Sequence, residues 1–289
     1  MIRALLVTSR PLSWVNTAYP FAAAYLLASG RLEAGEVVTL VVGTMFFLIP
    51  YNLAMYGIND VFDYESDLRN PRKGGVEGAV LQPARHRATL LTASLLPIPF
   101  VAYLVVVGGW ASDLVLAVSL FAVVAYSLAG LRFKERPFLD SLTSSTHFVS
   151  PAVFALALAG ARPTWPLVAL LVGYFLWGCA SHAFGAVQDI EADRDAGIGS
   201  VATAIGARAT VRGALVLYLV AGALLLATPW PGPLAAILAL PYAANVAPWW
   251  SVSDADAGAA NRGWRRFLWL NYAMGFLVTL LLIWWALIR

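Results

Sequence analysis

The chain has 289 residues, of which 60% are hydrophobic and 12% charged, and its formal net charge is +3. Soluble domains run at about 45–50% apolar and about 25% charged. The composition and the mean hydropathy of +0.74 therefore exclude a soluble globular enzyme, a disordered chain and a nucleic-acid-binding domain, and leave a polytopic membrane protein.

A spanning helix needs about 20 mostly apolar residues. In chain order, nine stretches qualify: 12–29, 37–58, 88–108, 114–131, 143–160, 166–187, 211–228, 233–250 and 268–288. Arg3 and Arg10 ahead of the first apolar run imitate a secretory leader, but Asn16 and Pro20 interrupt that run and further spans follow, so it reads as the first span. The expected architecture is an all-α membrane protein, one domain over 1–289 with nine transmembrane helices bundled around a central cavity. The connections after spans one, three, five and seven are short, and those after two, four, six and eight are longer and charged. With the N-terminus inside, the inner side holds all of the 19 Lys and Arg except Arg31, Arg162 and Arg289. The positive-inside rule then puts the N-terminus and the charged loops in the cytoplasm. Of the acids, only Glu33, Glu36 and Asp113 fall outside, so the inner face is the polar working surface. The single cysteine, Cys179, excludes an internal disulfide framework and a CxxC metal site.

Two inner segments carry the chemistry. Asn59, Asp63 and Asp67 close span two at spacing i, i+4, i+8, which on a helix is one face. Asp189 and Asp193 close span six at i, i+4. Like charges at that spacing repel, and a carboxylate at membrane depth costs roughly 2.5–3.5 kcal/mol on the insertion scale. Hard divalent cations offset both, and magnesium in particular is held by one or two carboxylates plus substrate phosphates and water. Basic residues nearby (Arg69, Arg72, Lys73, Arg132, Lys134 and Arg136) suit the rest of a diphosphate's charge. A diphosphate so held at the edge of an apolar cavity is primed to leave. Aromatic faces stabilise the allylic cation left behind, and a lipophilic acceptor attacks it. The competing readings are a solvated loop at each helix end and an ion or proton pathway. Against a pathway, the outer halves of the helices offer almost no ionisable residues.

The N-D-x-x-D-x-x-x-D stretch from Asn59 to Asp67, the D-x-x-x-D from Asp189 to Asp193 and the Arg10-Pro11 pair before span one resemble the UbiA superfamily of intramembrane prenyltransferases along essentially the whole chain. Longer strings, such as Ser9 to Phe21, Ile49 to Asp60, Asn70 to Val80 and Arg132 to Pro137, resemble its actinobacterial lycopene elongase branch. The resemblance implies magnesium-dependent transfer of dimethylallyl groups from dimethylallyl diphosphate to lycopene or another lipophilic acceptor, giving fifty-carbon carotenoids, among membrane lipids and without a nucleic-acid partner. It implies that Asn59, Asp63, Asp67, Asp189 and Asp193 hold the ions, and Asp60 is counted with them as a metal candidate. Asp63, Asp67, Asp189 and Asp193 are the expected catalytic set; Asn59, Arg72, Lys73, Tyr126, Arg132 and Lys134 are the expected diphosphate-binding residues. In the second segment Glu191 and Asp195 compete with Asp193. Prenylation of an aromatic ring in quinone synthesis, or ion-coupled transport, are the alternatives.

Smaller features have a plain reading beside a functional one. His182 lies on the face of Gly185 and Asp189, and His147 follows Ser144, Ser145 and Thr146; both regions read first as helix packing. Asp60, Tyr64 and His182 are candidate bases. Asn16 and Asn52 read as interhelical bridges. Trp14, Tyr19, Phe47, Tyr51, Tyr56 and Trp177 divide between packing and the lining of a polyene cavity. Residues 251–266 form an inner loop with no legible chemistry.

Overall fold

The computed structural model describes residues 2–30, 32–68 and 80–288, with the backbone alone at Ser66 and Asp67. Helix is the only regular secondary structure among them. The α-helices are α1 (Ile2–Thr8), α2 (Val15–Ser29), α3 (Ala34–Leu48), α4 (Pro50–Phe62), α5 (Tyr64–Asp67), α6 (His86–Leu95), α7 (Ile98–Val107), α8 (Trp110–Ser127), α9 (Leu139–Leu158), α10 (Trp165–Val187), α11 (Ile190–Asp195), α12 (Val201–Ile205), α13 (Ala207–Leu225), α14 (Ala239–Val246) and α15 (Asn261–Leu287).

Each predicted span carries helix, and among the described residues six stretches are long and apolar enough to cross a membrane. The other three differ for visible reasons. α2 is 15 residues long because Pro11 opens a separate 3-10 turn ahead of it. α9 has the length but carries Ser, Thr and His over its first half. The stretch predicted at 233–250 divides into a 3-10 turn at Gly232–Leu238, α14, and a second 3-10 turn at Ala247–Trp249. Pro233, Pro241 and Pro248 each remove a backbone donor there, and continuous α-helix does not survive such spacing.

The chain forms two compact units. The first is Met1–Phe133 with Thr146–Ala161, and the second is Lys134–Ser145 with Arg162–Arg289. α9 contributes its first half to one and its second half to the other.

In the first unit, Phe21, Phe46, Phe47, Tyr51, Leu104 and Phe154 are fully buried at the centre of one apolar cluster. Phe47 and Tyr51 thus pack the core. Gly43 permits the close approach of α2: a Cβ at that position would sit 2.1 Å from the Phe21 ring. The break between α3 and α4 at Pro50 is managed by a polar staple. Asn52 Nδ2 donates to the carbonyls of Phe47 at 2.7 Å and Leu48 at 3.1 Å, and to Thr17 Oγ1 at 2.7 Å, so one amide joins α2, α3 and α4. That is the bridging role read for Asn52; Asn16 is exposed. A second buried polar link runs through hydroxyls, Tyr51 to Ser119 at 3.0 Å and Ser119 to Ser150 at 2.7 Å. At the opposite end of α3, Glu33 and Glu36 form a capping box, which gives both carboxylates a local structural use.

In the second unit, α10 packs along α13 around a cluster centred on Phe184, Val187, Ile190, Val211 and Tyr218. Small residues allow the close approach of α9: a Cβ on Gly178 would meet Ser145 Oγ at 2.3 Å. Ser145 Oγ donates to the Phe175 carbonyl at 2.7 Å, so at Ser145 the hydroxyl-rich run packs helices.

Candidate active site

The first aspartate segment sits where α4 ends. Asp63 is the C-cap of α4, at φ −100° and ψ 1°. Its N–H still donates to the Asn59 carbonyl at 2.9 Å, so helical spacing persists from Asn59 to Asp63 and the chain bends only there, before α5. Asn59 Nδ2 donates to Ser127 Oγ at the end of α8, 3.0 Å away, which leaves Oδ1 as the atom able to face a cation. Asp63 is 7% exposed, and its Oδ1 lies 3.5 Å from Arg132 Nη2. Arg132 Nη1 also reaches the Phe62 carbonyl at 3.4 Å. The turn that delivers Arg132 is tight, with Gly130 at φ 90° and Arg132 itself at φ 40°. Tyr126 is half-buried on α8, edge-on to His147 at 5.2 Å between ring centres.

Asp60 has different surroundings. Its side chain is fully buried, and Oδ1 accepts from Arg10 Nη2 at 2.9 Å. The Arg10 guanidinium lies 4.2 Å above the Tyr56 ring, which gives that aromatic a definite task.

The second segment sits where α10 ends. Asp189 is the N-cap of α11, and the Asp193 N–H donates to its carbonyl at 2.8 Å, so the two keep helical spacing. Both are half-buried, whereas Glu191 and Asp195 are exposed. Ile190, between them, is buried in the core of the second unit and fixes the direction of the turn. Above this segment, Ser141 Oγ is 3.1 Å from His182 Nδ1.

Anchors that sequence reasoning missed surround the second segment. Arg194 Nη2 is 2.7 Å from Asp254 Oδ2 and reaches the Thr203 carbonyl at 3.3 Å. Asp254 Oδ1 accepts from the Ala207 N–H at 2.7 Å. Asn261 Nδ2 donates to Gln188 Oε1. The loop read as chemically silent is thus the brace of the aspartate turn. Asp140 was missed as well: it is wholly buried and accepts from the N–H groups of Ser141 and Val201, both at 2.7 Å. Only its position in the first turn of a helix could have signalled it. Of the remaining predicted residues, Arg69, Arg72 and Lys73 lie outside the described residues, as does the side chain of Asp67; Lys134 is half-buried in a 3-10 turn at Phe133–Glu135.

An amide carbonyl and carboxylates are hard oxygen donors, the set that suits magnesium. Among the described residues no three Asp, Glu, His or Cys side chains converge as a closed cage. Magnesium, which keeps water and takes substrate phosphates as ligands, needs no such cage.

A family model described as the UbiA prenyltransferase family matches residues 17–271. The chain belongs to the UbiA prenyltransferase family. It is therefore an integral membrane protein of an all-helical, prenyl-transferring class. Among UbiA relatives, it is 57% identical over 289 residues to the C(50) beta-cyclic carotenoids biosynthesis protein LbtBC of Dietzia sp. (strain CQ4), a match covering 100% of this chain and 66% of that protein. It is 53% identical over 283 residues to the lycopene elongase/hydratase of Corynebacterium glutamicum, covering 98% of this chain and 97% of that protein. Its UbiA fold is similar to that of a UbiA homolog from Archaeoglobus fulgidus bound to DMAPP and Mg2+, with a TM-score of 0.70 at 17% identity over 94% of this chain and 98% of that one. At that identity the likeness speaks for the fold alone.

Proposed function

We propose that this chain is a magnesium-dependent prenyltransferase that joins the dimethylallyl group of dimethylallyl diphosphate to lycopene, extending it toward a fifty-carbon carotenoid. The observation that carries the reading is a pair of oxygen-bearing side chains at i, i+4 closing each of two apolar helices: Asn59 with Asp63 at the end of α4, and Asp189 with Asp193 at the start of the short α11 that follows α10. The acceptor is supported by the relatives named for lycopene elongation and C50 carotenoid synthesis, the donor and metal by the ligands of the Archaeoglobus homolog.

On this reading Asn59, Asp63 and Asp67 in one segment, and Asp189 and Asp193 in the other, hold magnesium. The bound ion supplies positive charge to the diphosphate oxygens as they depart. Arg132 and Lys134, with Arg72 and Lys73, take the remaining negative charge through charge-assisted hydrogen bonds. The bond between the allylic carbon and its oxygen breaks with its electron pair left on diphosphate. The terminal double bond of the acceptor attacks the allylic cation, and the new cation is quenched by loss of a proton or by addition of water. Burial of Asp63 excludes bulk solvent beside the departing group, where charges interact more strongly. The charged loops and the aspartate segments face the cytoplasm, the side on which a soluble diphosphate is supplied.

Membranes containing the protein, supplied with lycopene, dimethylallyl diphosphate and magnesium, should yield carotenoids with one and two added five-carbon units by chromatography. Prenylation of an aromatic acceptor with lycopene left untouched would retain the family chemistry and remove the pigment assignment. Uptake into proteoliposomes without any product would remove both.

A further inference from the structure

We infer that Asp60 is a positioning residue and not a cation ligand: paired with Arg10, it clamps the segment ahead of α2 onto the last turn of α4 and so sets the direction in which Asn59 and Asp63 point. The inference rests on the reading of Asn59 and Asp63 as donors to the cation and diphosphate.

On a helix, Asn59 and Asp63 share a face, while Asp60 is turned about 100° away from Asn59. That turn takes its side chain into the protein, where it is wholly buried against an arginine that is itself 19% exposed. Arg10 Nε is buried without a hydrogen-bond partner among the described residues, so the Asp60 carboxylate and the Tyr56 ring anchor this guanidinium. Both belong to α4, four residues apart. The clamp therefore grips one stripe of the helix, one turn long, beside the stripe that bears Asn59 and Asp63.

The backbone tells the same story. Arg10 lies at φ 50° and ψ 75°, in the left-handed region, which a residue with a Cβ seldom occupies. Such a conformation persists only where the surroundings over-determine it. Here they do so from both directions. α1 packs on α4, and Trp14 Nε1 donates back to the Ser9 carbonyl at 3.0 Å, which closes the chain around Arg10. Pro11 then starts the 3-10 turn that leads into α2. A buried ion pair fixes orientation better than it adds stability, because desolvation consumes much of the attraction. Orientation is what a donor set at the end of a helix requires.

The test uses the full chain purified in detergent, with the variants Arg10→Gln, Asp60→Asn, Arg10→Lys and Arg10→Gln/Asp60→Asn. Two quantities are followed: the thermal unfolding midpoint, and turnover as a function of magnesium concentration. Each single neutralisation takes away the partner that the other charge has in this pair, so both should lower the midpoint, and turnover should fall roughly 10–100-fold. The double variant should recover most of the loss in midpoint, with half-saturating magnesium within about twofold of the parent. Arg10→Lys, which keeps the charge but not the planar fork, should fall between the parent and Arg10→Gln. Additive losses in the double variant overturn the inference. So does a magnesium requirement that rises tenfold in Asp60→Asn while Arg10→Gln leaves it unchanged, since that marks a ligand. Should neither single variant accumulate as folded protein, a folded double variant supports the clamp and an unfolded one overturns it. The unfolding arm decides independently of which acceptor the enzyme uses.

Discussion

At the end of α4 the anchoring charge pair, Arg10 with Asp60, is almost dry, at 19% and 0% side-chain exposure; at the end of α10 the pair Arg194 with Asp254 is wet, at 46% and 38%. Both hold a turn that ends in aspartates, and both tie it to a part of the chain about fifty to sixty residues away. The wet brace is one of several. The Gln188–Asn261 amide pair shares its task, and the Ala207 N–H still holds Asp254 when Arg194 is replaced, so breaking the ion pair leaves other strands of a net in place. The dry clamp has more at stake, because a charge stranded by mutation stays buried.

Substitutions at the two ends should separate the dry pair from the wet one. The largest effect is expected at the aspartates proposed to hold the cation. Asp63→Ala and Asp189→Ala should each cut turnover by roughly 10²–10³-fold while leaving helical circular dichroism near that of the parent. A tenfold disparity between the two would mean that the segments are not equal partners. Chelation of magnesium should abolish turnover in the same assay, with recovery on adding it back. Next comes the dry clamp, where Asp60→Ala should cost about 3–5 kcal/mol in unfolding free energy, the range for one half of a buried pair. Below it, Asn52→Leu opens the staple between α2, α3 and α4, and about 1–3 kcal/mol is expected for leaving its acceptors unsatisfied. The smallest effect belongs to the wet brace. Breaking the pair with Arg194→Gln should cost about 0–1 kcal/mol and fade as salt is raised. A cost at Arg194 equal to that at Asp60 would erase the distinction.

The apolar helices were legible in the chain because bilayer length and hydropathy leave few alternatives. What hydropathy could not show was where helix is interrupted. The prolines at 233, 241 and 248 are visible, but a hydropathy window counts their neighbours as apolar and passes over the missing donors. The aspartate segments were legible because carboxylates at i, i+4 beside an apolar run demand a reason. The residues that hold those segments were not. Asp254 in its loop and Asp140 at the start of α9 look like ordinary solvated acids until the partners appear: Arg194 and the Ala207 N–H for one, the N–H groups of Ser141 and Val201 for the other. Only folding brings those groups together. Asp60 was legible as part of the motif and ambiguous in its task, since a spacing argument places it beside the face of Asn59 and Asp63 without saying what meets it.

The Arg10 anchor also governs how the protein can be handled. A fusion partner or affinity tag joined ahead of Ile2 leaves the guanidinium and its tryptophan-closed loop intact. Trimming that extends through Ser9 removes the carbonyl that Trp14 holds, and trimming past Arg10 removes the guanidinium paired with the buried Asp60 carboxylate. Shortened versions prepared for crystallisation or cryo-microscopy should therefore keep α1, which packs on α4, and everything that follows it.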